Sequence, residues 1–327
     1  MERKHVNSVR RLIAPLIAVT LVLLLVGNFQ SVIDYVRLYN YQPPAEVSAL
    51  AEQTTMTDTA KRYFYVNHPE VADRSTFNTE CNSRGEHTIV LGCYHSVNRG
   101  IYLFDVKDVR LDGVEQVTAA HEMLHAAYDR LSSRERKYID KQLEDFFANR
   151  VQDERIRSTI EAYRESEPDD LVNEMHSIFA TEIAELTPEL ESHYSKYFNN
   201  RAKVVEYAST YQKEFTSRQN QVKEYDARLK GLKESIDANS ASLKQREQDI
   251  QAMQRQMESD RSSGNAESYN ARVAAYNARV DAYNQLIRST QYQIAEYNRL
   301  VEERNSLALQ VRELTQSISS KLNPIEE

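Results

Sequence analysis

The stretch TAAHEMLHAAYDRL, residues 118–131, places two histidines four positions apart, with a glutamate directly after the first. In an α-helix, residues i and i+4 lie on the same face, so the imidazoles of His121 and His125 can converge on one ion. Most residues between and beside them are uncharged, and proline is absent, which predicts a buried helix. We therefore expect a metal-bearing helix here, against the alternative that the spacing arose by chance.

The chemistry of these side chains indicates a zinc site. Two histidines and a carboxylate hold Zn²⁺ and leave one coordination position open for water. The metal lowers the pKa of that water to about 7, and Glu122, beside the histidines, is placed to take its proton. The stretch thus predicts a zinc-activated water with a glutamate general base, a combination that hydrolyses peptide bonds.

TAAHEMLH resembles the active-site helix of the zincin metallopeptidases. Tyr128 and Leu131 stand where the metzincin branch has a glycine and a third histidine, so the resemblance is to the gluzincin branch. It implies an α+β fold: a mostly helical zincin-like catalytic domain with a small β-sheet, which we place at residues 34–200. The resemblance also implies that a second helix downstream supplies a glutamate as the third zinc ligand.

The best candidate for that second helix is LVNEMHSIFATEIAEL, residues 171–186, which is apolar where a solvated helix would carry more charge. By the resemblance, Glu174 is the third ligand, and His176 and Glu182 are the alternatives. Related enzymes take an oxyanion donor from a position further on, and here Tyr194 is the candidate. The alternative for Tyr194 is that it packs where the catalytic unit meets the helices that follow.

The N-terminus has the pattern of a membrane signal. Basic residues in MERKHVNSVRR precede the apolar run LIAPLIAVTLVLLLVG. We expect residues 12–33 to be an uncleaved transmembrane signal anchor, with residues 1–11 in the cytoplasm and the rest of the chain extracytoplasmic. The alternative is a cleaved secretory peptide.

Cys81 and Cys93 fall in the part expected outside the cytoplasm, where disulfides form. We expect the two cysteines to form a disulfide that closes a short loop; the alternative is two unpaired thiols. Zinc binding by this pair is disfavoured because the chain has no CxxC spacing. The runs HTIVLGCYHS and GIYLFDV around and after Cys93 are β-rich and predict two adjacent strands.

The C-terminal part has the pattern of a coiled coil. No proline occurs between Pro188 and Pro324, and apolar residues recur every seven positions on both sides of the polar break RSSGNAES. We expect residues 201–323 to form a long antiparallel helical hairpin that turns near 260–267 and that could bind a protein partner. The alternative is one continuous rod that assembles between chains. The predicted core positions of the two tracts are Phe215, Val222, Leu229, Ile236, Leu243, Ile250 and Met257, then Val273, Val280, Ile287, Ile294, Val301 and Ala308.

The net charge of −8 over 327 residues makes nucleic acid an unlikely partner. The leading expectation is a membrane-anchored, extracytoplasmic zinc metallopeptidase acting on a peptide or protein substrate. An alternative of another class is a non-catalytic coiled-coil adaptor or scaffold of the cell envelope, with an inactive zincin-like domain.

Overall fold

The computed structural model describes residues 29–81, 90–96 and 100–320. They divide into two compact units, residues 29–212 with 316–320, and Lys213–Thr315. The described chain is mostly helical, with a small three-stranded sheet and two long C-terminal helices, and this agrees with the predicted α+β class.

The first unit contains most of the helices of the described chain. Polar N-caps begin several of them, and the one before α6 is a complete capping box between Ser132 and Glu135. The helices are α1 (Phe29–Leu38), α2 (Ala45–Gln53), α3 (Asp58–Tyr65), α4 (Arg74–Glu80), α5 (Val114–Tyr128), α6 (Ser133–Asn149), α7 (Glu154–Ser166), α8 (Leu171–Glu182), α9 (Pro188–Tyr194) and the first turns of α10 (Arg201–Ser262).

The sheet has the strand order β1-β3-β2. β2 (Gly92–His95) pairs antiparallel with β3 (Gly100–Phe104), which confirms the two adjacent strands predicted from the β-rich runs. β1 (Glu70–Ala72) pairs parallel with β3 and was missed, because three residues are too short for an alternating pattern to show. β2 therefore lies at one edge of the sheet.

Helix α5 lies at the centre of the first unit, against α2, α3, α8 and the sheet. Small residues such as Ala119, Ala120 and Ala126 are fully buried and let these neighbours approach closely. The helix begins after Gly113, whose φ of +104° suits glycine and at which a Cβ would lie 2.8 Å from the carbonyl oxygen of Tyr207. The predicted metal-bearing helix is thus a buried one.

The second unit consists of the rest of α10 and most of α11 (Ala266–Ile318), joined by a turn that includes Gly264. Hydrogen bonds link the two helices, with Arg228 donating to Glu296 at 3.0 Å and Asn239 donating to Gln293 at 2.9 Å. The core predicted for α11 is wrong at Ile294, which is 42% exposed, and it misses Leu300 and Leu314, which are fully buried. The half-buried Gln293 bonds through its amide to Asn239 and Ser235 on α10.

The predicted single-pass membrane location, with an extracytoplasmic catalytic part, is corrected by the structure. Across residues 29–81, 90–96 and 100–320, no helix combines the length and the apolar character needed to cross a bilayer. Residues 29–33, the end of the predicted anchor, belong to α1, where the buried Asp34 lies 3.3 Å from Arg130. Residues 1–28, which hold the predicted cytoplasmic N-terminus and most of the predicted anchor, lie outside the described residues.

Candidate metal centre

The three predicted zinc ligands meet where α5 crosses α8. Glu174 Oε2 lies 3.4 Å from His121 Nε2, and Glu174 Oε1 lies 3.4 Å from His125 Nε2. One ligand atom from each of the three residues falls within 4.8 Å of the others, a separation that a single metal ion can bridge. The two imidazoles share one face of α5, with ring centroids 4.8 Å apart.

The alternative third ligands point elsewhere. His176 follows Glu174 by two residues, which turns it about 200° around the helix axis, and its Nε2 lies 2.9 Å from His193 Nε2. Glu182 lies about 12 Å further along α8, at 1.5 Å per residue. Its carboxylate accepts a hydrogen bond of 2.6 Å from Arg155. Glu174 is therefore the acid on this helix that faces the histidines.

The candidate ligands are electrostatically coupled, with His125 and Glu174 buried and His121 partly exposed. Burial acts to raise the pKa of Glu174, but the His125 and His121 side chains outweigh it, so the pKa is lowered. Burial acts to lower the pKa of His121, but contact with the Glu174 carboxylate outweighs it and raises this pKa to about 9. In the metal-free chain the Glu174 carboxylate thus favours a protonated His121. Metal binding would release that proton, because histidine binds a metal as the neutral imidazole.

Glu122 lies between the candidate ligands and the edge of the sheet. Its side chain is buried, and burial raises the pKa of its carboxyl although His125 and His121 act to lower it. β2 passes so close that a Cβ at Gly92 would lie 2.5 Å from Glu122 Oε1. The absence of a side chain at Gly92 therefore leaves room for the Glu122 carboxylate.

The structure does not bring Tyr194 into this centre. Tyr194 is fully buried, and its hydroxyl donates a hydrogen bond of 2.8 Å to the carbonyl oxygen of His176. Burial raises the pKa of this phenol well above its ordinary value. The ring packs against His176 and His193, so the oxyanion-donor role expected for Tyr194 is corrected to a packing role.

A cavity of about 250 Å³ opens beside the candidate ligands. One wall contains β2 and the Cys81–Cys93 disulfide, whose Cα atoms are 5.8 Å apart, which confirms the predicted cysteine pairing. The facing wall comes from the end of α7 and the start of α8. Besides His121, Glu122, His125 and Glu174, the lining includes Gly92, Tyr94, His95, Tyr163, Glu167, Asp170 and Asn173.

Several of these lining residues were missed in the sequence, although it carries signals for some of them. Gly92 interrupts a strand pattern, which often marks a place where another group approaches the backbone closely. Glu167 and Asp170 belong to the acidic run ESEPDD directly before the apolar helix α8. Tyr163 has no such signal, because only the packing of α7 brings it to the cavity.

The donor set fits a zinc ion. Imidazole nitrogen and carboxylate oxygen are ligands that Zn²⁺ takes in proteins. Glu174 Oε2, which faces His121, is buried and has no hydrogen-bond partner within the described residues, so this centre is incompletely satisfied by the chain itself. Comparison of the chain with family models, curated proteins and solved structures found no match.

Proposed function

We propose that this protein is a zinc-dependent peptide hydrolase of the zincin type, with a gluzincin-like set of ligands. The single observation that carries the proposal is the convergence of Glu174, from α8, on the two histidines of α5 at 3.4 Å each. The catalytic unit would consist of residues 34–200 and the start of α10. Its substrate would be a peptide or protein.

His121, His125 and Glu174 would hold the ion. When bound, zinc would supply a Lewis acid and would lower the pKa of a coordinated water to about 7. The buried surroundings of the three side chains support this role, because a dry site strengthens charge interactions with a cation.

Glu122 would serve as the general base. It accepts a proton from the water as the new C–O bond forms, and it returns that proton to the leaving nitrogen as the C–N bond breaks. The raised pKa of its buried carboxyl suits this exchange, because a group that titrates nearer neutrality both takes and gives a proton readily. Close contact with the β2 backbone at Gly92 restrains where the carboxylate can lie.

The two long helices support a second part of the proposal, that Lys213–Thr315 belongs to an antiparallel coiled-coil hairpin formed within one chain. Arg228 bonds to Glu296, and Asn239, further along α10, bonds to Gln293, which comes earlier on α11. The partners therefore follow one another in opposite directions along the two helices. Such a hairpin offers an exposed surface for a protein partner. A concentration-independent monomer mass by light scattering would support pairing within one chain, and a dimer would favour the intermolecular rod.

The test of the enzymatic proposal combines metal analysis with peptide cleavage. Purified wild-type protein should contain one zinc ion per chain and cleave a mixed peptide library. Glu122→Gln should keep the metal and lose cleavage, whereas His121→Ala should lose both. Equal metal in wild type and His121→Ala, or undiminished cleavage by Glu122→Gln, would refute the proposal and favour a non-catalytic adaptor.

A further inference from the structure

We infer that the cavity beside the metal centre binds a positively charged group of the substrate, an ammonium or a guanidinium, next to the bond that is cleaved. The inference rests on the proposed function and names the class of substrate for that same site. The cation could belong to a lysine or arginine side chain or to a free α-amine.

The charge of the cavity is the first observation. Apart from histidines, the charged residues that line it are all acidic: Glu122, Glu167, Asp170 and Glu174. A divalent ion would balance the charges of Glu122 and Glu174 and leave Glu167 and Asp170 uncompensated. A cleft lined by charges of one sign attracts ligands of the opposite charge, so this acidic wall favours a positively charged group.

Asn173 is the second, independent observation. This residue lines the cavity and is 6% exposed, and its amide nitrogen lies 3.1 and 3.3 Å from the two carboxylate oxygens of Asp170. Its Oδ1 atom is buried and accepts no hydrogen bond within the described residues. A buried acceptor without a partner loses its solvation free energy, so a ligand that donates a hydrogen bond to this oxygen would be stabilised.

This part of the wall therefore offers acceptor oxygens, from the carboxylates of Glu167 and Asp170 and from the amide of Asn173. An ammonium carries three N–H donors and a guanidinium five, and neither has an acceptor. Glu167, Asp170 and Asn173 together would satisfy such a group better than they would a neutral or acidic side chain. Substrates that lack the cation would leave the Asn173 oxygen unpaired, and this is the kind of difference on which enzymes discriminate strongly.

A second metal ion is the competing occupant. Ligand atoms of Glu167, Asp170 and Glu174 also lie within 4.8 Å of one another. However, the oxygens of Glu174 face His121 and His125. A second ion would therefore compete with the first centre for Glu174, whereas an organic cation can bond to Glu167 and Asp170 without it.

The experiment measures the affinity of four hydroxamates for the zinc-loaded full chain by isothermal titration calorimetry. The hydroxamate group of each probe binds the metal, and the four differ in their cations: lysine hydroxamate has two, Nα-acetyl-lysine and norleucine hydroxamates have one each, and Nα-acetyl-norleucine hydroxamate has none. The same titrations on Asp170→Asn test the wall. Asp169→Asn is the matched control, since this exposed neighbour changes charge equally and does not line the cavity.

We expect at least one singly charged probe to bind about two- to fivefold more tightly than the uncharged one, as for a partly exposed charge pair. Tighter binding of Nα-acetyl-lysine hydroxamate would identify a side-chain cation, and tighter binding of norleucine hydroxamate would identify a free α-amine. The preference should disappear in Asp170→Asn and persist in Asp169→Asn.

Equal affinity for all four probes, or a preference that Asp170→Asn leaves unchanged, would overturn the inference while leaving the proposed function intact. Two zinc ions per chain in wild type and one in Asp170→Asn would overturn it in favour of a second metal. Failure of all four to bind, with no zinc retained, would overturn the proposed function and this inference together.

Discussion

Gly92 and Glu122 are in such close contact that a methyl group on the glycine would overlap the carboxylate. A Cβ at Gly92 would lie 2.5 Å from Glu122 Oε1 and 2.8 Å from Glu122 Cγ. The edge strand β2 and the central helix α5 therefore meet at the proposed general base. The backbone of one element restrains the reactive group of the other, and this relationship can be tested directly.

Gly92→Ala should reduce peptide cleavage about 10- to 100-fold, because displacing a catalytic group by about 1 Å can cost that much. Zinc content should stay unchanged, since the atoms nearest to the added Cβ belong to Glu122 and Thr118 and not to the three ligands. Gly231→Ala is the control: a Cβ there meets nothing within 4 Å, so activity should not change. Full activity of Gly92→Ala would show that Glu122 can move without consequence.

Glu174→Gln should lower zinc affinity by more than about 100-fold, because even changes around a ligand commonly cost 10- to 100-fold. Glu182→Gln, on the same helix, should leave zinc affinity unchanged, since its carboxylate bonds to Arg155 instead. Competition with a chelator of known affinity measures both. Loss of zinc from Glu182→Gln with retention in Glu174→Gln would reverse the assignment.

Arg201→Met should lower the free energy of unfolding of the first unit by about 2 to 4 kcal/mol, as for loss of a buried charged hydrogen-bond donor. Arg201 is 8% exposed and donates to the carbonyl oxygens of Ala180, Ile183 and Ala184, which follow the end of α8 or lie within its last turn. Urea denaturation followed by circular dichroism measures the change.

The matched control for Arg201 is Lys203→Met. This substitution removes the same charge two residues later on α10. The Lys203 side chain, however, is 39% exposed and pairs with Glu206 on the surface. We expect a change within about 0.5 kcal/mol. Similar losses in the two variants would mean that the carbonyl contacts of Arg201 contribute little.

Acid should destabilise the metal-free protein through His193. Burial lowers the pKa of this imidazole to about 4, whereas an unfolded histidine titrates near 6.5. Between these values the unfolded chain binds a proton that the folded chain does not, so stability falls as the pH drops from about 6.5 to about 4. The contribution is on the order of 1 to 3 kcal/mol.

His193→Gln removes this titration and should make the pH dependence over the same range less steep, while the buried His176, whose pKa is also lowered by burial, still contributes. Urea unfolding of both proteins at pH 4.5, 5.5, 6.5 and 7.5 provides the comparison, with the difference between the two proteins as the quantity of interest. Parallel pH profiles would exclude His193 as a source of acid sensitivity.

The pairing of the two histidines on α5 was predictable because it depends on local geometry. The four-residue spacing places His121 and His125 on one helix face in any tertiary context. The two adjacent strands β2 and β3 were likewise readable from two β-rich runs, whereas their antiparallel pairing came from the structure. The Cys81–Cys93 disulfide was expected from the short spacing and the expected compartment, and the structure confirms it.

The choice among acids on α8 depended on tertiary structure. The sequence shows that Glu174, His176 and Glu182 share one helix, but it does not show how that helix is rotated about its axis when it packs. Packing against α5 turns Glu174 toward the histidines and His176 toward His193. The same packing buries Tyr194, whose place in the chain had suggested a role in the cavity.

The long helices show the same division between local and long-range information. Heptad spacing identified partly or fully buried positions along α10, since the spacing is a property of each helix alone. In α11 it missed the fully buried Leu300 and Leu314. It also could not show that Gln293 accepts a hydrogen bond from Asn239, 54 residues away, while the neighbouring Ile294 is exposed. Periodicity along one helix is written in the sequence, whereas the partner that each side chain meets is decided only when distant segments pack together.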